Sequence, residues 1–218
     1  MQDLLSFLRD LRQNNNREWY HANKKRYEKE CKEPFKAFVG DLITRLQALD
    51  PEIQIQPKDA IFRIARDTRF SKDKTPYKTH VGALISKYGR KGKEYPGYYF
   101  HLEPGRLMLG GGAYFVERAS LDHIWNKIRL EHDRFRSIVE ASAFVKHFEQ
   151  VKGEQYKRIP KEFSDFAEQE PLIANKQYFY MAELPDDKAS QDDFLDFVID
   201  YYTAGKPLND FVAEALEK

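Results

Sequence analysis

Cysteine is almost absent: Cys31 stands alone in 218 residues. No internal disulfide can form, so packing must supply the stability, and a reducing compartment such as the cytoplasm is the expected setting. Long apolar runs are missing too. No stretch approaches the ~18 residues that a membrane span requires, so no membrane partner is expected. Asp3, Arg9 and Asp10 come too early for the apolar core of a secretory signal. The common catalytic signatures are also lacking. No Gly-Lys-Ser/Thr phosphate loop, GxSxG elbow, HExxH or CxxC occurs, and no motif nominates a cofactor. There is no repeat, low-complexity tract or Pro/Gly/Ser-rich linker, so residues 1–218 read as one domain.

Aromatic residues are plentiful, with 16 Phe and 13 Tyr, and they point to an aromatic-rich core. Three regions divide the chain. Residues 2–48 are helical in pattern: Leu4, Leu5, Phe7, Leu8 and Leu11 recur at helical spacing. Asn14-Asn15-Asn16 then breaks the helix and supplies a cap for the next, and Pro34 marks a kink or restart. Residues 60–116 switch to a strand pattern, with strands expected at 61–65, 81–86, 98–102 and 107–116. Glu103-Pro104-Gly105-Arg106 is the expected turn between the last two. Residues 119–217 return to helices and add one strand at 177–184. Ser190 and Asp193 resemble a capping box, and Pro207 suits the first turn of a separate final helix. The expected fold is α+β: an antiparallel sheet of about five strands, with helices from both ends of the chain mainly on one face.

Charge is segregated. Residues 63–93 hold ten Lys or Arg against Asp67 and Asp73, a formal balance of +8 in a chain of net charge +1. Folding does not require such crowding, whereas an anionic partner would explain it. Residues 153–218 are the counterpart, with 15 acids against seven bases.

Strand alternation sharpens the reading. If Phe62 and Ile64 face the core, Arg63 projects from the other side, where His80, His101 and Glu103 would join it. The segment from Arg66 to Lys78 would arch over that face. Arg63, Arg66, Arg69, Lys74 and Lys78 are the candidate ligand-binding cations, since guanidinium groups grip phosphate or carboxylate through paired hydrogen bonds. The competing reading is structural, with Arg63–Asp67 or Arg69–Asp73 ion pairs in a solvated loop.

His80, His101, Glu103 and Tyr77 are the candidates for proton transfer or orientation. His101 and Glu103 could share a metal, but no third ligand accompanies them and no metal site is assigned. Gly110-Gly111-Gly112 interrupts an apolar strand. Gly111 and Gly112 either bring backbone N–H groups to a ligand, or serve a bulge or close packing beneath Trp125. Arg17, Asn23 and Lys24 are candidates for the border of the same site. An anionic small molecule is the expected partner, bound by a metal-free protein or enzyme. The rivals are a nucleic-acid-binding module, with Phe70, Tyr77 or Tyr88 stacking on bases, and a scaffold for an acidic protein.

FRIARDTRFSKDKTPYKTHVGALI and GYYFHLEPGRLMLGGGAY, with NNNREWYHANKKRYE upstream and NKQYFYMAEL downstream, resemble a bacterial and fungal family of unknown function, domain of unknown function 2461. The resemblance covers nearly the whole chain. It implies a single-domain protein and brings no activity, cofactor or catalytic residue.

Overall fold

A computed structural model describes residues 1–217. The chain opens with α1 (Gln2–Gln13), whose five buried apolar residues are those that recur at helical spacing. Asn16 caps α2 (Arg17–Ala22) by accepting from Trp19 N–H at 2.9 Å. The short α3 (Lys24–Arg26) runs through a π-helical turn, Tyr27–Lys32, into α4 (Glu33–Leu49). Pro34 explains the widened turn: it has no N–H for the Glu30 carbonyl, and its ring would crowd that oxygen. After α5 (Pro57–Ala60) come three strands, β1 (Val81–Ile85), β2 (Gly97–Glu103) and β3 (Arg106–Ala113). Four helices follow: α6 (Arg118–Leu130), α7 (His132–Val139), α8 (Ser142–Phe148) and α9 (Lys161–Ala167). The chain closes with β4 (Tyr178–Leu184) and α10 (Phe194–Leu216).

The fold is α+β. The four strands form one antiparallel sheet in the order β1-β2-β3-β4. Register stacks Ala83, Phe100, Leu109 and Ala182 across one face, which the helices cover, while Tyr99, His101 and Glu103 share the other. Two aromatic-rich clusters lie beneath the sheet. One joins α1 and α4 to β1 and β2, and the other joins α6–α9 to β4. Helix α10 spans both, giving Phe194, Val198 and Tyr202 to the first and Leu208, Phe211 and Val212 to the second.

Two expectations need correction. Residues 61–65 do not form a fifth strand and make only isolated bridges, Ile61 to Ala83 and Ala65 to Tyr77. Their backbone instead closes a loop on itself, through Lys78 N–H to Ile64 and Arg66 N–H to Pro76, where the proline lacks the donor a ladder needs. The C-terminal helix is continuous, with Pro207 inside it, and Asp193 makes no side-chain cap. Burial of Leu208, Asn209, Phe211 and Val212 just beyond the proline outweighs the single backbone bond it forfeits.

Candidate functional site

Strand β1 splits the basic block. Arg63 to Lys78 precede it in one long loop, while Lys87 to Lys93 follow it around a tight turn. The first half builds a cleft of about 580 Å³ against the end of α1, walled by Arg12, Asn15, Arg66, Tyr77, Lys78 and His80 together with the carboxylates of Asp67 and Asp73. Asn15 fixes the loop. Its amide donates to the Tyr77 carbonyl at 2.9 Å and accepts from Tyr77 N–H at 3.1 Å, imitating a strand pairing. The Tyr77 ring stacks on Tyr20 at 4.0 Å, so this candidate for proton transfer also anchors the loop to the core.

Three of the loop's six cations, Arg66, Arg69 and Lys74, are occupied within it. Arg69 binds Asp67 through Nε (3.0 Å) and Nη2 (2.7 Å), which lowers the Asp67 pKa. Arg66 pairs with Asp73 and, with Thr75, holds that carboxyl down to about 2. Lys74 donates to the Thr68 carbonyl at 2.9 Å. The expected Arg69–Asp73 pair is therefore replaced by Arg69–Asp67 and Arg66–Asp73.

Lys78 differs. Among the described residues no carboxylate lies within 4.0 Å of its ammonium. The amine rests over the Phe62 ring, 5.4 Å from its centre. Burial, reinforced by the positive charge of Arg63, lowers its pKa. Phe62 packs beside Tyr99 on the outer sheet face, 6.4 Å between ring centres, so the expected alternation of residues 62–64 does not hold. Arg63 is exposed and does not line the cleft.

His80 closes the cleft floor, its ring stacked on His101 at 4.2 Å. Burial, with His101 and Lys78 nearby, drives the His80 pKa down to about 4. Burial also lowers that of His101, against the pull of Glu103. His101 Nδ1 meets the Tyr99 hydroxyl at 3.2 Å, and its Nε2 lies 3.3 Å from Glu103 Oε1 without the alignment of a hydrogen bond. Arg12 (3.1 Å) and Arg106 (2.8 Å) hold Glu103. Burial alone would raise the Glu103 pKa, but Arg106 and His101 outweigh it and the carboxylate stays ionised. The expected cluster of His80, His101 and Glu103 thus exists, with Arg12 where Arg63 was expected.

Gly111 and Gly112 do not line this cleft. A Cβ on Gly111 would strike the Tyr180 hydroxyl, and one on Gly112 would strike β4 backbone from a φ of +96°. Close strand packing accounts for both, Gly111 against the Tyr180 side chain and Gly112 against the Tyr178–Phe179 backbone, rather than against Trp125. Arg17, Asn23 and Lys24 are absent from the cleft wall as well. Arg12 and Asn15 are the residues of the candidate cleft that sequence reasoning missed. The available signal was three consecutive asparagines, more than one helix cap needs. Among the described residues no group of three His, Cys, Asp or Glu side chains is arranged to hold a metal ion. No described helix is long and apolar enough to cross a membrane.

The arrangement can receive a small anion at Lys78 and present a neutral imidazole pair beside it. No curated protein and no solved structure matches the chain. The profile of one family matches residues 3–211, most of the chain, and the protein therefore belongs to that family, described as conserved hypothetical protein (DUF2461).

Proposed function

We propose that this protein binds a small phosphate- or carboxylate-bearing ligand in the cleft between the Arg66–His80 loop and α1, and that it does so in the cytoplasm. The one cysteine is free and buried, its thiol pushed up to about 12 by burial, and asks for no oxidising environment. Lys78 is the observation that carries the reading. A partly desolvated ammonium beside Arg63, with no carboxylate of its own, is electrostatically incomplete. A ligand anion completes it, with Arg12 and Thr75 on the same wall. His80, neutral at pH 7, can then hydrogen-bond the bound ligand and orient it.

A thermal-shift series with phosphate and small carboxylates tests the binding. A ligand that binds only the folded state raises stability by mass action. The wild type should gain stability with at least one anion, and Lys78→Met should lose that gain while keeping its unliganded melting temperature. No gain with any anion would remove the reading.

One observation favours a second reading. Phe70 is 95% exposed at the loop tip, beside Arg69 and between Thr68 and Lys74, as a base-stacking side chain would be. Single-stranded oligonucleotides should then bind with a log–log salt slope of about −0.7 per phosphate contacted. Absence of binding at low salt removes this alternative.

A further inference from the structure

Lys78 has a chemical use beyond its charge. Its side chain stands on the wall of a cleft of about 580 Å³, inside the ~300–1,000 Å³ range of ordinary ligand pockets. An amine attacks carbon only after losing its proton, so a nucleophilic lysine needs surroundings that penalise the ammonium. The structure supplies them. The side chain is half-buried, its nitrogen lies 5.4 Å from the centre of the Phe62 ring, and the charge of Arg63 repels it. No carboxylate among the described residues pairs with it. Asp67 and Asp73, on the same cleft, are held by Arg69 and Arg66. An aromatic face favours a cation slightly, but burial and Arg63 outweigh it and the Lys78 pKa falls.

The other lysines of the basic block lack this combination. Lys74 donates to the Thr68 carbonyl, and Lys87 is held by Glu52 and Glu217, which raise its pKa. Lys72 and Lys91 are exposed. Lys93 also lies over a ring, that of Phe115 at 5.8 Å, yet it too is exposed. Lys78 alone joins partial burial and a cationic neighbour to a place on the cleft wall.

We infer that Lys78 captures the carbonyl group of a small 2-oxo acid as an imine, an inference that rests on the anion cleft proposed above. In such a ligand the carboxylate is one bond from the carbonyl carbon. The contact that receives the anion therefore also brings that carbon to the amine. The neutral amine adds to the carbonyl carbon, and the π electrons move to oxygen. One amine proton passes through water to that oxygen. The remaining N–H proton then leaves with the hydroxyl, and the products are the imine and one water. Protonation of the imine nitrogen restores a positive charge there, which the same carboxylate balances. His80, neutral and on the same cleft, can donate its N–H to the carbonyl oxygen as negative charge grows on it.

Incubation of the full chain with pyruvate and sodium cyanoborohydride at neutral pH, followed by peptide mass mapping, tests the inference. The reagent delivers hydride to the imine carbon and leaves a stable carboxyethyl group on the nitrogen that reacted. The expected result is an adduct at Lys78 before any other lysine, slowed by added phosphate. The adduct should be lost in Lys78→Arg, whose guanidinium keeps the charge but is not an imine-forming amine. A thermal-shift series with phosphate, run alongside, separates the two claims. Stabilisation by phosphate without an adduct at Lys78 overturns the imine and leaves the binding reading intact. An adduct that phosphate does not slow, in a protein that no anion stabilises, removes the cleft reading and the 2-oxo acid with it. Labelling spread evenly over the exposed lysines overturns the inference outright.

Discussion

The two ends of β1 carry equal reputations in the sequence and opposite situations in the structure. Before the strand, Lys78 sits half-buried with no carboxylate. After it, Lys87 lies between Glu52 and Glu217, and Arg90 donates to the Lys58 carbonyl. Both belong to one basic run, yet neighbouring acids raise the Lys87 pKa while burial lowers that of Lys78. Formal charge along a chain therefore overstates the field available to a ligand. What counts is the charge left after the fold has made its own pairs.

The supports of the two ends also differ, and breaking each should produce the largest effects. Gly89 makes the turn after β1 with a φ of +59°, and a Cβ there would lie 2.7 Å from the Asp59 carbonyl oxygen. Gly89→Ala should cost roughly 1–3 kcal/mol by crowding and backbone strain, measured by denaturant unfolding. Asn15 supports the other end through two hydrogen bonds to Tyr77. Asn15→Ala should cost about 1–3 kcal/mol, because it strands a part-buried backbone donor and acceptor. It should also speed hydrogen exchange between residues 62 and 80 far more than elsewhere. Uniform faster exchange would mean that Asn15 has no special hold on the loop.

A sharper comparison exchanges the two lysines for methionine. Lys87→Met loses two ion pairs and should lower the melting temperature. Lys78→Met removes an uncompensated charge from above the Phe62 ring and should leave the melting temperature unchanged or raised. Equal losses in the two variants would contradict the distinction drawn between them.

The smallest effect is the pH dependence of the cleft floor. His80 titrates at about 4 when folded against an ordinary 6.5, so the unfolded chain binds its proton more readily. Stability from His80 is complete above about 6.5 and declines as pH falls through about 4. Burial sets this first, with His101, Lys78 and Arg106 adding to it and Glu103 opposing it. Subtracting the unfolding profile of His80→Gln from that of the wild type should isolate this slope, and parallel profiles would place the His80 pKa near its ordinary value.

The sequence made the sheet face readable because alternation survives in β2: Tyr98, Phe100 and Leu102 point one way and Tyr99, His101 and Glu103 the other. It made residues 61–65 misleading, because a β-rich composition cannot reveal that Pro76 and a returning loop will take the backbone bonds. Pro207 misled for the opposite reason, since tertiary burial of α10 overrides a local break. The cation pairing was unreadable in principle: Asp67 and Asp73 were visible, but which arginine each would choose depends on the loop's path. Arg12 and Asn15 lie more than 60 residues from Tyr77 or more than 50 from Arg66, so only the fold brings them to the site.

The most direct test of an unpaired Lys78 as the anion-binding group is a crystal structure of the protein grown in phosphate. An ordered phosphate within hydrogen-bond distance of Lys78 Nζ, lost in Lys78→Met crystals, is the predicted result. Phosphate found only among Lys87, Lys91 and Lys93, or nowhere near β1, would contradict it.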